Sequence, residues 1–104
     1  YLKEILKETK ATILYAKDGQ SAINYCKNDS SISLVLMDIQ LPGIDGNTAT
    51  KKIREFNKEL PIIAQTAYAL EEERKKILQA GCNDYVSKPI NEQELYRKIH
   101  NYLG

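Results

Sequence analysis

The sequence predicts an open α/β domain built on a parallel sheet, and two observations carry that expectation. Short apolar runs of strand length alternate with stretches of helical periodicity. Three of those runs stop on a polar residue: Ile32 to Met37 on Asp38, Pro61 to Gln65 on Thr66, and Asp84 to Ser87 on Lys88. Parallel strands place their carboxyl ends on one edge of a sheet, where open α/β folds bind ligands. A carboxylate, a hydroxyl and an ammonium are therefore expected to converge.

Each element has its own signal. Leu2, Ile5 and Leu6 recur at helical spacing among Lys3, Glu4, Lys7 and Glu8, so the opening reads as the later part of an amphipathic helix. Thr12 to Ala16 reads as a strand. Asp18-Gly19 makes a turn and helix cap, followed by a helix to about Lys27 with Ala22, Ile23 and Cys26 inward. After the loop Asn28 to Ser31, the strand Ile32 to Met37 is apolar enough to be covered on both faces. Leu41 to Gly46 is a tight loop, and Asn47 caps a helix whose inner face is Ala49, Ile53 and Phe56.

Ile62 to Gln65 is the next strand. Glu71, Glu72 and Glu73 then occupy the amino terminus of a helix, where negative charge is favoured, and Gly81 ends it. Tyr85 to Ser87 is the last strand. Asn91 to Glu94 resembles a capping box and opens a helix that turns Leu95, Ile99 and Leu103 inward.

With 104 residues, 42% of them hydrophobic and 28% charged, the chain fits one domain, residues 1–104, with a single core. Its 15 basic and 14 acidic side chains are interspersed and leave a formal charge of +1, so no strong field favours nucleic acid or an anionic membrane. No apolar run approaches the roughly 20 residues that cross a bilayer, and a cytoplasmic setting is expected. Cys26 and Cys82 lack metal or redox spacing and are expected as reduced thiols, Cys26 packed and Cys82 near the surface. Tyr1 is not an initiator Met, so a preceding segment is expected.

The blocks Leu36-Met37-Asp38-Ile39-Gln40-Leu41-Pro42-Gly43-Ile44-Asp45-Gly46, Thr66-Ala67 and Tyr85-Val86-Ser87-Lys88-Pro89 resemble the receiver domain of two-component response regulators. The resemblance spans essentially the whole chain. It implies a doubly wound, flavodoxin-like parallel sheet, whose family order 2-1-3-4-5 is the order given for a member of this family as a standard example. It also implies that the first strand is absent here, together with the start of the first helix. In that order the absent strand would lie between Thr12 to Ala16 and Ile32 to Met37, leaving two strand edges without partners. A longer natural protein that includes the strand is expected on that ground.

The resemblance further implies that Asp38 accepts a phosphoryl group from a phosphohistidine. A carboxylate can attack phosphorus to give an acyl phosphate once the repulsion between two anions is relieved. Lys88 would supply a fixed cation, with a Lys88-Pro89 bond expected to be cis, and Mg2+ would supply the rest. Thr66 would donate its hydroxyl to a phosphoryl oxygen, and Tyr85 would turn inward in concert with it as a switch. Asp38 and the main-chain carbonyl of Gln40 would be metal ligands. The acidic pair that completes this site in receivers has no counterpart in the chain, and magnesium held by those two groups alone would bind weakly.

The expected partners are a histidine kinase or a histidine phosphotransfer protein, with dimerisation through the last strands and helices as a further expectation. Direct nucleic acid binding and membrane contact by this segment are not expected. The wording Asp38-Ile39-Gln40 and Thr66-Ala67-Tyr68-Ala69 leans toward receivers of hybrid sensor histidine kinases. Output would be conformational, with no catalysis on an outside substrate. The alternative is a pseudo-receiver, which keeps the fold as a protein interaction module without phosphorylation. A flavodoxin-like nucleotide binder fits poorly, because no glycine-rich phosphate loop follows any strand. His100, one residue beyond Ile99, reads as a solvated surface imidazole.

Overall fold

The computed structural model describes residues 2–6, 11–16, 18–39, 45–67 and 70–103. One five-stranded sheet, with spatial order β1-β2-β3-β4-β5, consists of β1 (Leu2–Leu6), β2 (Ala11–Ala16), β3 (Ile32–Asp38), β4 (Ile62–Thr66) and β5 (Asp84–Ser87). The described residues also form four helices, α1 (Gly19–Asn28), α2 (Gly46–Arg54), α3 (Glu71–Ala80) and α4 (Glu92–Leu103). Strands β2 to β5 run parallel, as expected of strand-helix alternation.

Side-chain alternation divides the core into two layers. Leu14, Val35, Met37, Ile62 and Ala64 face Ala22, Ile23 and Cys26 of α1, Ala49 and Ile53 of α2, and Ile77 of α3. Ile13, Leu34, Leu36, Ile63 and Val86 face Leu95 and Ile99 of α4. Helices on both faces are what allow β3 to be apolar on nearly every residue, because neither face meets water. Burying Leu95 and Ile99 contributes about 1.5–3 kcal/mol each, which ties α4 to its side of the sheet.

Two expectations about the start of the chain are corrected. Residues 2–6 form a strand, antiparallel to β2 with Leu2 opposite Tyr15 and Leu6 opposite Ala11. Helical spacing of three apolar residues is a weak signal over so short a stretch, since nucleating a helix costs more than one turn returns. The free edge of β2 offers backbone partners instead. The anticipated gap beside β2 is also closed: β2 pairs directly with β3, with a register irregularity at Thr12 and Ile13. Strands β2 to β5 lie side by side in chain order, with β1 on the outer edge beside β2.

Helix boundaries bring smaller corrections. Asp18 caps α1 as expected, accepting from the Ser21 N–H at 2.7 Å. For α2 the cap is Asp45, which accepts from Thr48 N–H at 2.8 Å, so Asn47 lies inside the helix. Among the described residues no group donates to the buried Asn47 Oδ1. The helix stops at Arg54, which puts Phe56 in the following turn at 42% exposure and off the inner face. Gly81 ends α3 with φ of 113°, and the Cys82 N–H reaches back to the Ile77 carbonyl at 3.2 Å. That return buries Cys82, so both thiols lie in the core and burial pushes both pKa values up, Cys26 to about 11. Asn91 opens α4 by accepting from Glu94 N–H at 3.1 Å.

Candidate functional site

Three adjacent parallel strands deliver the site. Asp38 is the last residue of β3, Thr66 the last of β4, and Lys88 follows the last residue of β5. Strands about 4.8 Å apart bring such residues within side-chain reach. The Lys88 ammonium donates to Asp38 Oδ2 at 2.6 Å, with side chains 34% and 27% exposed, so the pair is half-buried at the mouth of the sheet edge. Thr66 is 2% exposed. Its carbonyl accepts from the Lys88 N–H at 2.8 Å, and its neighbour Gln65 pairs with Asp38 and accepts from the Ile39 N–H at 3.0 Å. The Lys88-Pro89 peptide bond is cis.

Tyr85 packs partly against the layer of α1 to α3, as Ala64 and Ile62 do. Alternation along β4 puts Thr66 on that same face. Tyr85 is paired with Ala64, so Thr66 is its diagonal neighbour, close enough for a large ring to touch. Two cations flank the ring: the Arg74 guanidinium carbon and Lys98 Nζ each lie 5.2 Å from its centroid. Lys98 also donates to the Tyr85 carbonyl at 2.6 Å and to Asp84 Oδ1 at 3.0 Å.

Sequence reasoning missed Lys98, whose signal was its place beside core-facing Ile99 and within reach of the strand before it. It also passed over Gly46, read as part of a loop. Any Cβ at Gly46 would collide with the Asp38 carbonyl oxygen. Gln40 lies outside the described residues, as do Leu41 to Ile44, Tyr68 and Ala69. His100 is exposed.

For magnesium the donor set can be tested directly. Among the described residues no three acidic, histidine or cysteine groups cluster as a metal cage would require. Asp38 supplies one hard oxygen donor at the sheet edge, which suits an ion completed by phosphate oxygens and water and does not suit a cage made by protein alone. Among the described residues no helix is long and apolar enough to cross a membrane.

The family model described as "Response regulator receiver domain" matches residues 1–100, and the chain belongs to that family, whose members act in two-component phosphorelay signalling. It is 36% identical over 108 residues to the sensor protein GacS of Pseudomonas syringae pv. syringae, covering 99% of this chain and 12% of that protein. The chain therefore spans a small fraction of that relative's length.

Among solved structures, the receiver domain of the sensor histidine kinase PA1611 from Pseudomonas aeruginosa PAO1 has a magnesium ion coordinated in its active site cleft. It superposes with a TM-score of 0.77 at 40% identity, covering 86% of this chain and 74% of that one. The co-crystal structure of the Saccharomyces cerevisiae histidine phosphotransfer protein Ypd1 with the receiver domain of Ssk1 gives 0.78 at 37% identity, covering 85% and 68%.

Proposed function

We propose that this receiver takes a phosphoryl group onto Asp38 from a phosphohistidine of a histidine kinase or histidine phosphotransfer protein, and answers by changing the surface around Tyr85. The observation that carries the reading is the 2.6 Å contact between Lys88 Nζ and Asp38 Oδ2 across two strand ends. A carboxylate oxygen of Asp38 forms the new P–O bond as the P–N bond breaks, and the leaving imidazole keeps the electron pair and takes up a proton. Lys88 holds the carboxylate beforehand and transfers its ammonium to a phosphoryl oxygen as charge develops there. Asp38 and the Gln40 main-chain carbonyl would hold magnesium, which would supply additional neutralisation of the phosphate. The Thr66 hydroxyl turns to a phosphoryl oxygen and vacates space that the Tyr85 ring enters, a two-state shift biased by new contacts. The setting is cytoplasmic, within a hybrid sensor kinase or a separate response regulator.

The test is incubation with acetyl phosphate and magnesium, followed by intact mass. One labile phosphoryl group is expected on the wild-type chain and none on Asp38→Asn. A label that persists on Asp38→Asn, or a wild-type chain that never acquires one, would refute the reading; the second result is what a pseudo-receiver would give.

A further inference from the structure

The geometry points to Gly46 and Thr50 as positioning residues for phosphoryl acceptance, an inference that rests on the reading of Asp38 as acceptor. Gly46 opens α2 directly against the end of β3. A Cβ there would collide with the Asp38 carbonyl oxygen and stand 2.8 Å from Ile39 Cα and 3.1 Å from the Asp38 carbonyl carbon. All three are main-chain atoms, so none can swing aside as the tip of a side chain would. Gly46 is thus needed for space. The left-handed backbone that makes glycine necessary at Gly81 is not found at Gly46.

The polar groups of Gly46 are also fixed. Its N–H donates to the Ile39 carbonyl at 3.2 Å, and its carbonyl accepts from Thr50 Oγ1 at 2.8 Å. Thr50 is fully buried, and its hydroxyl lies 3.6 Å from Cys82 Sγ. With the hydroxyl proton committed to Gly46, the thiol is the donor in that second contact, and Thr50 is held turned toward Gly46. On the opposite side, Ile39 N–H is bound by the Gln65 carbonyl at 3.0 Å. The peptide that follows Asp38 is therefore gripped between β4 and the first turn of α2.

The chemical consequence follows from direction. The backbone at Asp38 aims its carboxylate, whereas Lys88 is placed by a different strand, and attack on phosphorus needs both in register. A methyl group at Gly46 must lift α2 or turn the end of β3. A displacement of about 1 Å caused away from the reacting atoms is enough to slow a reaction about 100-fold. Thr50 acts through Gly46 and touches neither phosphate nor carboxylate.

Three variants test this: Gly46→Ala, Thr50→Val, which keeps shape but loses the hydroxyl, and Thr50→Ser, which keeps the hydroxyl. Labelling rate from acetyl phosphate with magnesium is measured by intact mass, folding by thermal melting, and Asp38 geometry by the carbon-13 resonance of its carboxylate. Gly46→Ala is expected to melt cooperatively and to label about 100-fold more slowly. Thr50→Val is expected to slow labelling several-fold, and Thr50→Ser to restore it. Wild-type rates in folded Gly46→Ala and in Thr50→Val overturn the inference. Should Gly46→Ala fail to fold, equal rates for Thr50→Val and Thr50→Ser overturn it. A wild-type chain that takes no label refutes the acceptor reading instead. Positioning is then judged by the Asp38 resonance alone, which must move in Thr50→Val and return in Thr50→Ser.

Discussion

At the carboxyl ends of β3 to β5, Lys88 meets Asp38 side chain to side chain at 2.6 Å, each about one-third exposed. At the amino ends of β4 and β5 another cation, Arg54, is engaged quite differently. Its Nε donates to the Gly81 carbonyl at 2.9 Å, Nη1 to the Asn57 carbonyl at 3.1 Å and Nη2 to Asn83 Oδ1 at 2.9 Å. Asn83 Oδ1 also accepts from Ile62 N–H at 2.9 Å, and the Asn83 carbonyl accepts from the Tyr102 hydroxyl at 2.9 Å. This network pins the ends of α2, α3 and α4 to the sheet through main-chain carbonyls and the Asn83 amide oxygen. A cation bonded to fixed carbonyls holds the fold together, whereas a cation facing a partly exposed carboxylate is able to change partner. One end of the sheet suits reaction and the other suits stability.

The sharpest way to break that contrast is a pair of alanine substitutions read by the same two assays. Lys88→Ala is expected to slow phosphorylation by acetyl phosphate about 100-fold, the scale of losing one charge-stabilising group. Its thermal stability should change by less than about 1 kcal/mol, because exposed ion pairs contribute little. Arg54→Ala should do the opposite, leaving the labelling rate intact while costing about 2–3 kcal/mol, the sum of several hydrogen bonds to a partly buried cation. For a domain of this size that is a fall in Tm of about 10 °C or more. Comparable destabilisation by both substitutions would erase the distinction between the two ends.

Gly81→Ala sharpens the description of the lower network, with a smaller expected cost of about 1–2 kcal/mol by chemical denaturation. Part is backbone strain at φ of 113°, and part is the approach of a new Cβ to Arg54 Cγ at 2.8 Å. The second part should vanish in an Arg54→Ala background. The double variant is therefore expected to lose less than the sum of the two single losses.

How much of this was legible depended on whether the signal was local. Asp38, Thr66 and Lys88 could be read because a strand end is marked by where an apolar run stops, and parallel strands turn that marker into proximity. The caps Asp18 and Asn91, and the stop at Gly81, rest on neighbouring backbone alone and were equally legible. Residues 2–6 were misread because their partner, the edge of β2, is a tertiary fact that three apolar residues cannot announce. Gly46 could be placed in a turn, but only coordinates put it against the Asp38 backbone. Cys82 was expected near the surface, and the return from α3 to the Ile77 carbonyl buries it.

That burial has a pH signature that appears only in alkali. The Cys26 thiol is raised from 9.0 to about 11 by burial, and Cys82 is raised for the same cause. Well below pH 9 the thiols are protonated in folded and unfolded chains alike, so no effect on stability is expected. As pH rises from 9 toward 11 the unfolded chain loses these protons first, and the folded chain, binding more protons, becomes less stable. Denaturation followed across that window should show the decline, and Cys→Ser substitution at both positions should make it shallower, the remainder coming from the Tyr102 phenol, which burial also raises. A wild-type curve already flat between pH 9 and 11 would place both thiols in water.

The smallest effect is expected at Phe56, and its smallness is informative. Had α2 continued one more turn, Phe56 would have shared the inner face with Ala49 and Ile53, and truncation to alanine would cost about 3–5 kcal/mol. Instead the Phe56 N–H bonds to the Ile53 carbonyl at 3.1 Å and the Asn57 N–H to the same carbonyl at 2.8 Å, a tightened exit that turns the ring outward. Asn57 completes the exit by accepting from the N–H groups of Glu59 and Leu60, at 3.1 and 3.0 Å. At 42% exposure the ring adds little to the core. Phe56→Ala should therefore shift stability by no more than about 1 kcal/mol, well below Arg54→Ala two residues earlier. Asn57→Ala should cost more than Phe56→Ala, because it strips two backbone donors of their acceptor, and the reverse order would mean that α2 runs on past Arg54.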